Sequence, residues 1–150
     1  KLKAELHART GLPVSMGSEA CEAAFKVLGM RRIAVITPYQ PVGDRNVRRF
    51  FEEAGFEVAR IKGLKCESPV KIAHVSEQTL GEALRELDGD DIDGLVQVGT
   101  NLAMARLAGQ AEVWLRKPVV AINTAIYWHA LREAGIGERM SGFGTLMERH

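Results

Sequence analysis

Small and hydrogen-bonding residues stand directly after several apolar runs of the sequence, where a fold built on those runs would turn. Three of these groups begin a helix pattern, and a helix N-terminus offers free N–H groups and the positive end of the helix dipole. Such groups bind a carboxylate or a phosphate, so the pattern predicts a pocket for a small anion. The alternative is that Ser18, Thr100 and Thr124 are plain helix caps. The groups are Gly17-Ser18, Thr37-Pro38-Tyr39, Gly99-Thr100-Asn101 and Asn123-Thr124.

The elements that must position these groups alternate between strand and helix patterns. A short apolar stretch at 13–16 comes first, and strands are predicted at 33–36, 56–61, 95–98 and 119–122. Helices are predicted after the caps Ser18, Asp44, Ser76 and Thr124, and another over 102–115. This alternation predicts an α/β fold, a mostly parallel sheet with helices on both faces. Ligands bind beyond the carboxyl ends of such strands, where the four polar groups would meet.

Composition limits the class of partner. The 150 residues are 46% hydrophobic and 26% charged with a net charge of +1, which fits one soluble globular domain. That balance argues against a nucleic-acid partner or a membrane surface. Arg45, Arg48 and Arg49 do cluster, but Glu52 and Glu53 follow on the same predicted helix, so we expect a solvated face. No run is apolar enough to span a membrane, and no signal peptide is visible.

Motifs for metals and nucleotides are weak or missing. The stretch SGFGTL at 141–146 lacks the spacing of a dinucleotide-binding loop and follows no predicted strand. There is no P-loop pattern, so no cofactor is predicted. The histidines share no ligand spacing on one element, which argues against a metal site. They are His7, His74, His129 and His150.

The sequence has two cysteines and no CxxC pair, which excludes a disulfide framework and a zinc site and fits a reducing, cytoplasmic location. Cys21 lies in the first turn of a predicted helix, where a thiolate is favoured. The alternative is a small core residue that packs against Phe25. Cys66 lies in a predicted loop and is expected to be accessible to solvent.

Three longer segments carry a family resemblance: RRIAVITPYQPVGDRNVRRFFEEAGFEV, VQVGTNLAM and KPVVAINTAIYWHALREAGI. They resemble the second half of proteins in the aspartate/glutamate racemase superfamily, in the branch of maleate cis-trans isomerase and arylmalonate decarboxylase. Within that branch the chain most resembles ectoine-utilisation proteins. The resemblance implies two similar three-layer α/β halves that face each other across a pocket. Residues 1–150 would form the C-terminal half as a single α/β domain, with 137–150 as an irregular tail.

The resemblance also implies a chemistry and a set of site residues. The family uses cysteines at strand-to-helix turns for proton transfer at, or addition to, the carbon next to a carboxylate, without a cofactor. The cysteine of the second half falls at Gly99 of this sequence. Tyr39 resembles the tyrosine that holds the substrate carboxylate, and the backbone around Thr100 and Asn101 resembles half of an oxyanion cradle. Because relatives hold a cysteine there, the turn at position 99 is expected to tolerate a side chain.

Three functions stay open at this point. The first is an isomerase, racemase or related lyase that acts on a small carboxylate with its nucleophile in the other half. The second is a non-catalytic carboxylate sensor, because sugar-binding domains of bacterial repressors also show RRIAVITP and GFEV. The third is an interaction module that has lost catalysis. A homo-oligomer is expected. If half of the fold lies outside this sequence, apolar residues of the last predicted helix, Ile126, Tyr127 and Leu131, should be exposed and the chain should self-associate.

Overall fold

The computed structural model describes residues 2–150, which form one sheet and the helices around it. The strands are β1 (Arg32–Thr37), β2 (Glu57–Gly63), β3 (Gly94–Gln97) and β4 (Val119–Ala121). They pair in the order β2-β1-β3-β4, and every pairing is parallel. All four carboxyl ends therefore lie at one edge of the sheet, as the alternating pattern predicts.

The helices cover both faces of the sheet. They are α1 (Leu2–Thr10), α2 (Gly17–Leu28), α3 (Pro41–Glu53), α4 (Pro69–Ala73), α5 (Glu77–Leu87), α6 (Ala105–Leu115), α7 (Ile122–Glu133) and α8 (Thr145–Arg149). The helices α2, α3, α7 and α8 share one apolar core with the sheet, and α5 and α6 share the other. The three-layer α/β/α fold with a parallel sheet is confirmed.

The inner strand β3 separates the two cores by alternation of its side chains. Val96 and Val98 belong to the core under α2, α3 and α7, whereas Leu95 belongs to the core under α5 and α6. Successive strand residues point to opposite faces, so Gln97 shares the α5 and α6 face with Leu95. Gln97 is fully buried in a layer of apolar side chains. A polar side chain at this buried position is unexpected.

Several predicted helix starts are wrong. Ser76 does cap α5, because its hydroxyl accepts the N–H of Thr79 at 3.1 Å. Ser18 lies inside α2, which begins at Gly17 without a side-chain cap. Thr124 lies inside α7, which follows directly on β4. The helix expected over 102–115 begins only at Ala105, after a turn.

Asp44 also lies inside its helix, because α3 begins earlier, with Pro41 in its first turn. Proline is favoured at the first position of a helix, where its fixed φ fits and no N–H is needed. The proline signal therefore outweighs the acidic residue as the marker of this helix start. The Asp44 carboxylate is left free for another partner.

The C-terminal segment differs from the irregular tail expected at 137–150. It ends in α8, where Leu146 and Met147 are buried in the core shared with α7. Glu112 of α6 fixes the start of α8, because its carboxylate accepts the N–H of Thr145 at 2.7 Å and the hydroxyl at 2.8 Å. The same carboxylate accepts the N–H of Val119 at 3.1 Å. One side chain thus ties α6, β4 and α8 together.

The outer face of α7 is less apolar than expected. Ile126 packs beside Gly17 of α2, and Leu131 is partly buried against the core, so only Tyr127 of the three is exposed. The expectation that all three residues are exposed is wrong, and the homo-oligomer stays a prediction. Within residues 2–150, no helix combines the length and the apolar character that crossing a membrane requires.

Candidate functional site at the carboxyl edge of the sheet

An open cavity of about 260 Å³ lies at the carboxyl ends of β1 and β3, on the face covered by α2 and α3. Apolar side chains and glycines form most of its wall, and Ser18, Tyr39 and Asn46 add uncharged polar groups. A bound anion would therefore meet dipoles and not a cationic side chain. The lining residues are Gly17, Ser18, Cys21, Tyr39, Asn46, Val47, Phe50, Phe51, Val98, Gly99 and Ile122.

Two of the predicted site residues meet in this cavity. The Tyr39 hydroxyl oxygen would lie 3.5 Å from a Cβ atom built on Gly99, although the two residues are on different strand ends. Tyr39 is 37% exposed, and its hydroxyl makes no hydrogen bond to any residue in the range 2–150. The hydroxyl can therefore donate to a molecule that sits next to Gly99.

The turn that carries Tyr39 is fixed by a chain of hydrogen bonds. The Thr37 hydroxyl donates to the Asp44 carboxylate, and the N–H of Tyr39 donates to the same hydroxyl at 3.1 Å. The Asp44 carboxylate lies so close to Gly63 of β2 that a Cβ there would overlap it. Asp44, which the sequence predicts as a helix cap, thus holds the end of β1. Asp44 and Thr37 are seven positions apart in the sequence, and no sequence pattern indicates that they are in contact.

Gly99 itself has a backbone conformation that side chains rarely adopt. Its φ is +94°, and a Cβ would lie 2.6 Å from Cγ and 2.7 Å from Cδ of Pro38. Neither distance is compatible with an unchanged turn, so the prediction that this turn tolerates a side chain is wrong for this structure. The physical reason is the proline ring of the neighbouring strand end, which occupies the space. Both the positive φ and the close approach of Pro38 favour glycine.

The side chains of Thr100 and Asn101 do not form part of the cavity. Both residues are exposed. The Thr100 carbonyl accepts the side-chain amide of Asn123 at 2.9 Å, and the Asn101 side chain reaches the Pro69 carbonyl only at 3.5 Å. In the described part of the chain, the N–H groups of Gly99, Thr100 and Asn101 donate to no acceptor. These N–H groups remain free for a ligand.

The cysteines do not supply a nucleophile at this edge. Cys21 is 1% exposed and packs in the core that includes Phe25, as the alternative interpretation predicts. Burial, with a smaller contribution from Glu22, raises the pKa of the Cys21 thiol to about 12, so it stays protonated near neutral pH. Cys66 is half-buried in the loop after β2, where its N–H donates to the Pro38 carbonyl at 3.0 Å. Its backbone therefore supports the turn that carries Tyr39.

The arrangement can stabilise negative charge with fixed dipoles. Gly99, whose N–H is free, and the Tyr39 hydroxyl lie side by side next to an apolar wall, and the N–H of Thr100 follows directly in the chain. Across residues 2–150, no group of three or more His, Cys, Asp or Glu side chains is placed to hold a metal ion. Uncharged donors of this kind suit a small anion.

Known proteins resemble this chain over most of its length. An arylmalonate decarboxylase from Bordetella bronchiseptica is 28% identical over 142 residues, which are 93% of this chain and 59% of that protein. A maleate isomerase from Alcaligenes faecalis is 22% identical over 138 residues, 91% of this chain and 54% of that protein. The chain thus spans little more than half the length of these curated relatives.

Solved structures give the same result for the fold. A maleate cis-trans isomerase from Nocardia farcinica, a cysteine-to-serine variant with a covalently bound succinylcysteine intermediate, superposes with a TM-score of 0.91 at 21% identity. The superposition covers 99% of this chain and 63% of that one. The family described as arylmalonate decarboxylase matches residues 1–147. A match over nearly the whole sequence, together with this fold and this edge, leads to one conclusion: the chain belongs to the arylmalonate decarboxylase family.

Proposed function

We propose that this chain forms the carboxylate-binding half of a cofactor-independent isomerase, racemase or related lyase that acts on a small dicarboxylate. One observation carries the proposal: the free Tyr39 hydroxyl lies beside Gly99 in the cavity wall, and the N–H groups of Gly99 and Thr100 donate to no acceptor in residues 2–150. Hydrogen bonds from these donors to one carboxylate of the substrate would fix the carbon next to it. Both curated relatives named above carry small acids in their names, a malonate and maleate.

The same donors would lower the barrier of the chemical step. When a proton or carbon dioxide leaves the carbon next to a carboxylate, negative charge moves onto the carboxylate oxygens. N–H and O–H donors that are already in place stabilise this charge without reorganisation. The apolar wall formed by Val47, Phe50 and Val98 offers those oxygens no competing hydrogen bonds on that side.

The thiol of the proposed reaction comes from outside this chain. Position 99 is glycine, and the raised pKa of Cys21 keeps that thiol protonated. The relatives are longer than this chain, and the Nocardia isomerase carries a covalent succinylcysteine. We therefore infer that these residues are the C-terminal half of a protein whose other half supplies one cysteine. A role in ectoine utilisation stays a prediction from the sequence resemblance.

A carboxylate sensor without catalysis is the second candidate. Two observations favour it. Position 99 is glycine and the Cys21 thiol is buried, so the cavity has groups that can bind a carboxylate but no thiolate that can act as a base. Both functions require binding of a small dicarboxylate through Tyr39. They differ only in whether a bond at the neighbouring carbon is broken.

Calorimetry on the full-length protein tests the binding proposal. The Tyr39→Phe variant loses one hydrogen bond to a charged group, about 1.5–3 kcal/mol, so maleate and malonate should bind roughly 10- to 100-fold more weakly. Tyr127→Phe is the matched control, because Tyr127 is exposed on α7 and does not line this cavity. Equal affinity of the two variants would overturn the assignment of Tyr39.

Proton NMR in D₂O separates the enzyme from the sensor. An enzyme of this family exchanges the α-proton of a bound substrate, or converts maleate, at a rate above the uncatalysed background. Tyr39→Phe should lower that rate. Tight binding with no exchange and no conversion would reject the enzyme and leave the sensor, and absence of binding would reject both.

A further inference from the structure

Gln97 is a fully buried amide at the centre of the sheet, directly before the turn of the site. It is the last residue of β3, an inner strand, and pairs with Ile36 of β1 and Ala121 of β4. Its side chain shares a face with Leu95, among the apolar residues under α5 and α6. A glutamine in that position contributes nothing to apolar packing that a methionine of similar length would not.

The amide group of Gln97 binds two successive carbonyls. Its Nε2 donates to the Val98 carbonyl at 2.8 Å and to the Gly99 carbonyl at 2.9 Å. Only the NH₂ end of the amide can face two carbonyl oxygens, so these contacts also fix which end is nitrogen. The two carbonyls belong to the peptide groups on either side of Gly99.

Holding these carbonyls determines where the adjoining N–H groups point. In a planar trans peptide the C=O and the next N–H are antiparallel. The Gly99 carbonyl is drawn towards the α5 and α6 face, so the N–H of Thr100 points to the opposite face. That is the face of α2 and α3, where the cavity lies. The Val98 carbonyl faces Gln97 in the same way, so the N–H of Gly99 points away from Gln97. The positive φ of Gly99 allows two successive carbonyls, those of Val98 and Gly99, to face the same amide.

The oxygen end of the Gln97 amide lowers the stability of the fold. Its Oε1 is buried and has no hydrogen-bond partner anywhere in residues 2–150. A buried acceptor without a partner destabilises the fold, because the water it had in the unfolded chain is not replaced. Stability alone would favour an apolar side chain here. What the glutamine supplies instead is a hydrogen bond to each of the two peptide groups, in addition to the N–H of Leu102, which donates to the Gly99 carbonyl at 3.0 Å.

We propose that Gln97 is a positioning residue that orients the N–H groups of Gly99 and Thr100 towards a carboxylate in the cavity. The inference rests on the proposed function, since it concerns how that carboxylate is held. Gln97 touches no substrate in this scheme. It acts through the backbone of the turn and keeps the donors in place before the ligand arrives, so binding does not have to order them.

The test is Gln97→Met in the full-length protein, with Leu95→Met as the matched control on the same face of β3. Gln97→Met keeps the volume and removes both donors, so maleate and malonate should bind about 10- to 100-fold more weakly. In the ligand-free protein, the carbonyl-carbon NMR resonances of Val98 and Gly99 should shift, because each loses a hydrogen bond. Leu95→Met should change neither the affinity nor these resonances. Unchanged affinity in Gln97→Met, or an equal loss in the control, would overturn the role of Gln97.

A measurement on the wild-type protein covers the case that Gln97→Met does not fold. Titration with maleate should shift the amide-proton resonances of Gly99 and Thr100, and the Gln97 side-chain amide protons should exchange slowly with water. Binding without a shift of those two amides would overturn the proposal. If the wild-type protein binds neither acid, the proposed function fails, while the side-chain exchange and the carbonyl resonances still report whether Gln97 holds the turn.

Discussion

The two edges of the sheet treat their polar groups in opposite ways. At the amino edge, carboxylates of the turn at 88–93 have partners within the chain. The Asp93 carboxylate accepts the N–H groups of Arg31 and Arg32 at 2.8 and 2.7 Å. Asp91, in the same turn, forms an ion pair with Arg60 of β2 at 2.8 Å. At the carboxyl edge, the N–H groups of Gly99 and Thr100 find no acceptor in residues 2–150, and the cavity next to them has no charged side chain.

This difference separates stability from binding in the molecule. Charges and hydrogen bonds that are paired inside the chain stabilise the fold and leave nothing for a ligand. Donors that are held in place but unpaired cost stability, and a bound anion would satisfy them. Variants of the amino edge should therefore change stability and leave carboxylate affinity intact, whereas Tyr39 and Gln97 variants should change affinity.

The largest effect is expected for Gly99→Ala, which should change both properties. The positive φ alone costs a non-glycine residue about 1–3 kcal/mol, and contact with the Pro38 ring adds to this cost. Moving the turn to relieve that contact would also misplace the N–H groups that bind the carboxylate. Urea unfolding and calorimetry with maleate on the full-length protein measure the two changes.

Gly55→Ala is the matched control for that variant. Gly55 has a φ of +91°, but a Cβ there meets no atom within 4 Å. The loss of stability in Gly55→Ala thus measures the backbone strain alone, and the excess in Gly99→Ala measures the contact with Pro38. Equal losses in the two variants, with normal maleate affinity in both, would mean that the turn at position 99 is not specially constrained.

An intermediate effect is expected for Asp93→Asn at the amino edge. The N–H groups of Arg32 and Arg31 lower the pKa of the Asp93 carboxyl below its ordinary value. Because the folded-state pKa is the lower one, the carboxylate stabilises the fold above the unfolded pKa, and this stability is lost as the pH falls through the folded pKa. Asp93→Asn should lower the free energy of unfolding by about 1–2 kcal/mol at pH 7.

The same variant should lose less stability than wild type on acidification below about pH 4. Chemical denaturation between pH 7 and pH 2 measures this. Asp90→Asn is the control, since Asp90 belongs to the same turn and makes no hydrogen bond or ion pair with residues 2–150. Maleate affinity should be unchanged in both variants. A loss of affinity in Asp93→Asn alone would contradict the separation of the two edges.

The last prediction concerns the rates at which the two cysteines are labelled, an experiment that should disturb the fold least. With its pKa raised to about 12, Cys21 carries little thiolate at pH 8, and it is buried as well. Iodoacetamide should modify the half-buried Cys66 first and Cys21 on the order of a thousandfold more slowly. Peptide mass spectrometry locates the label, and both cysteines should react in denaturant. Rapid labelling of Cys21 in the native protein would restore a possible base inside the cavity.

The order of strands and helices could be predicted from local patterns, because each pattern depends on neighbours in the sequence. Local patterns predicted three features that the structure shows: the buried strand β1, the strand before Gly99 and the helix cap at Ser76. Parallel pairing then requires that the strand ends share one edge, so Tyr39 and Gly99 could be expected near each other. The predicted caps at Asp44 and Thr124 failed because a proline and a direct strand-to-helix connection moved the helix starts.

By itself, the sequence determined the α/β fold and the resemblance to the maleate isomerase and arylmalonate decarboxylase branch, and it predicted a ligand site at the carboxyl edge of the sheet. The tertiary structure decided that Pro38 fills the space beside Gly99, that Asp44 holds Thr37, and that Gln97 binds the carbonyls of the turn. It also decided that Cys21 is a buried thiol with a raised pKa. The physical reason is the same in each case. These contacts depend on distances of a few ångströms between different elements, and no local pattern of residue types encodes such distances.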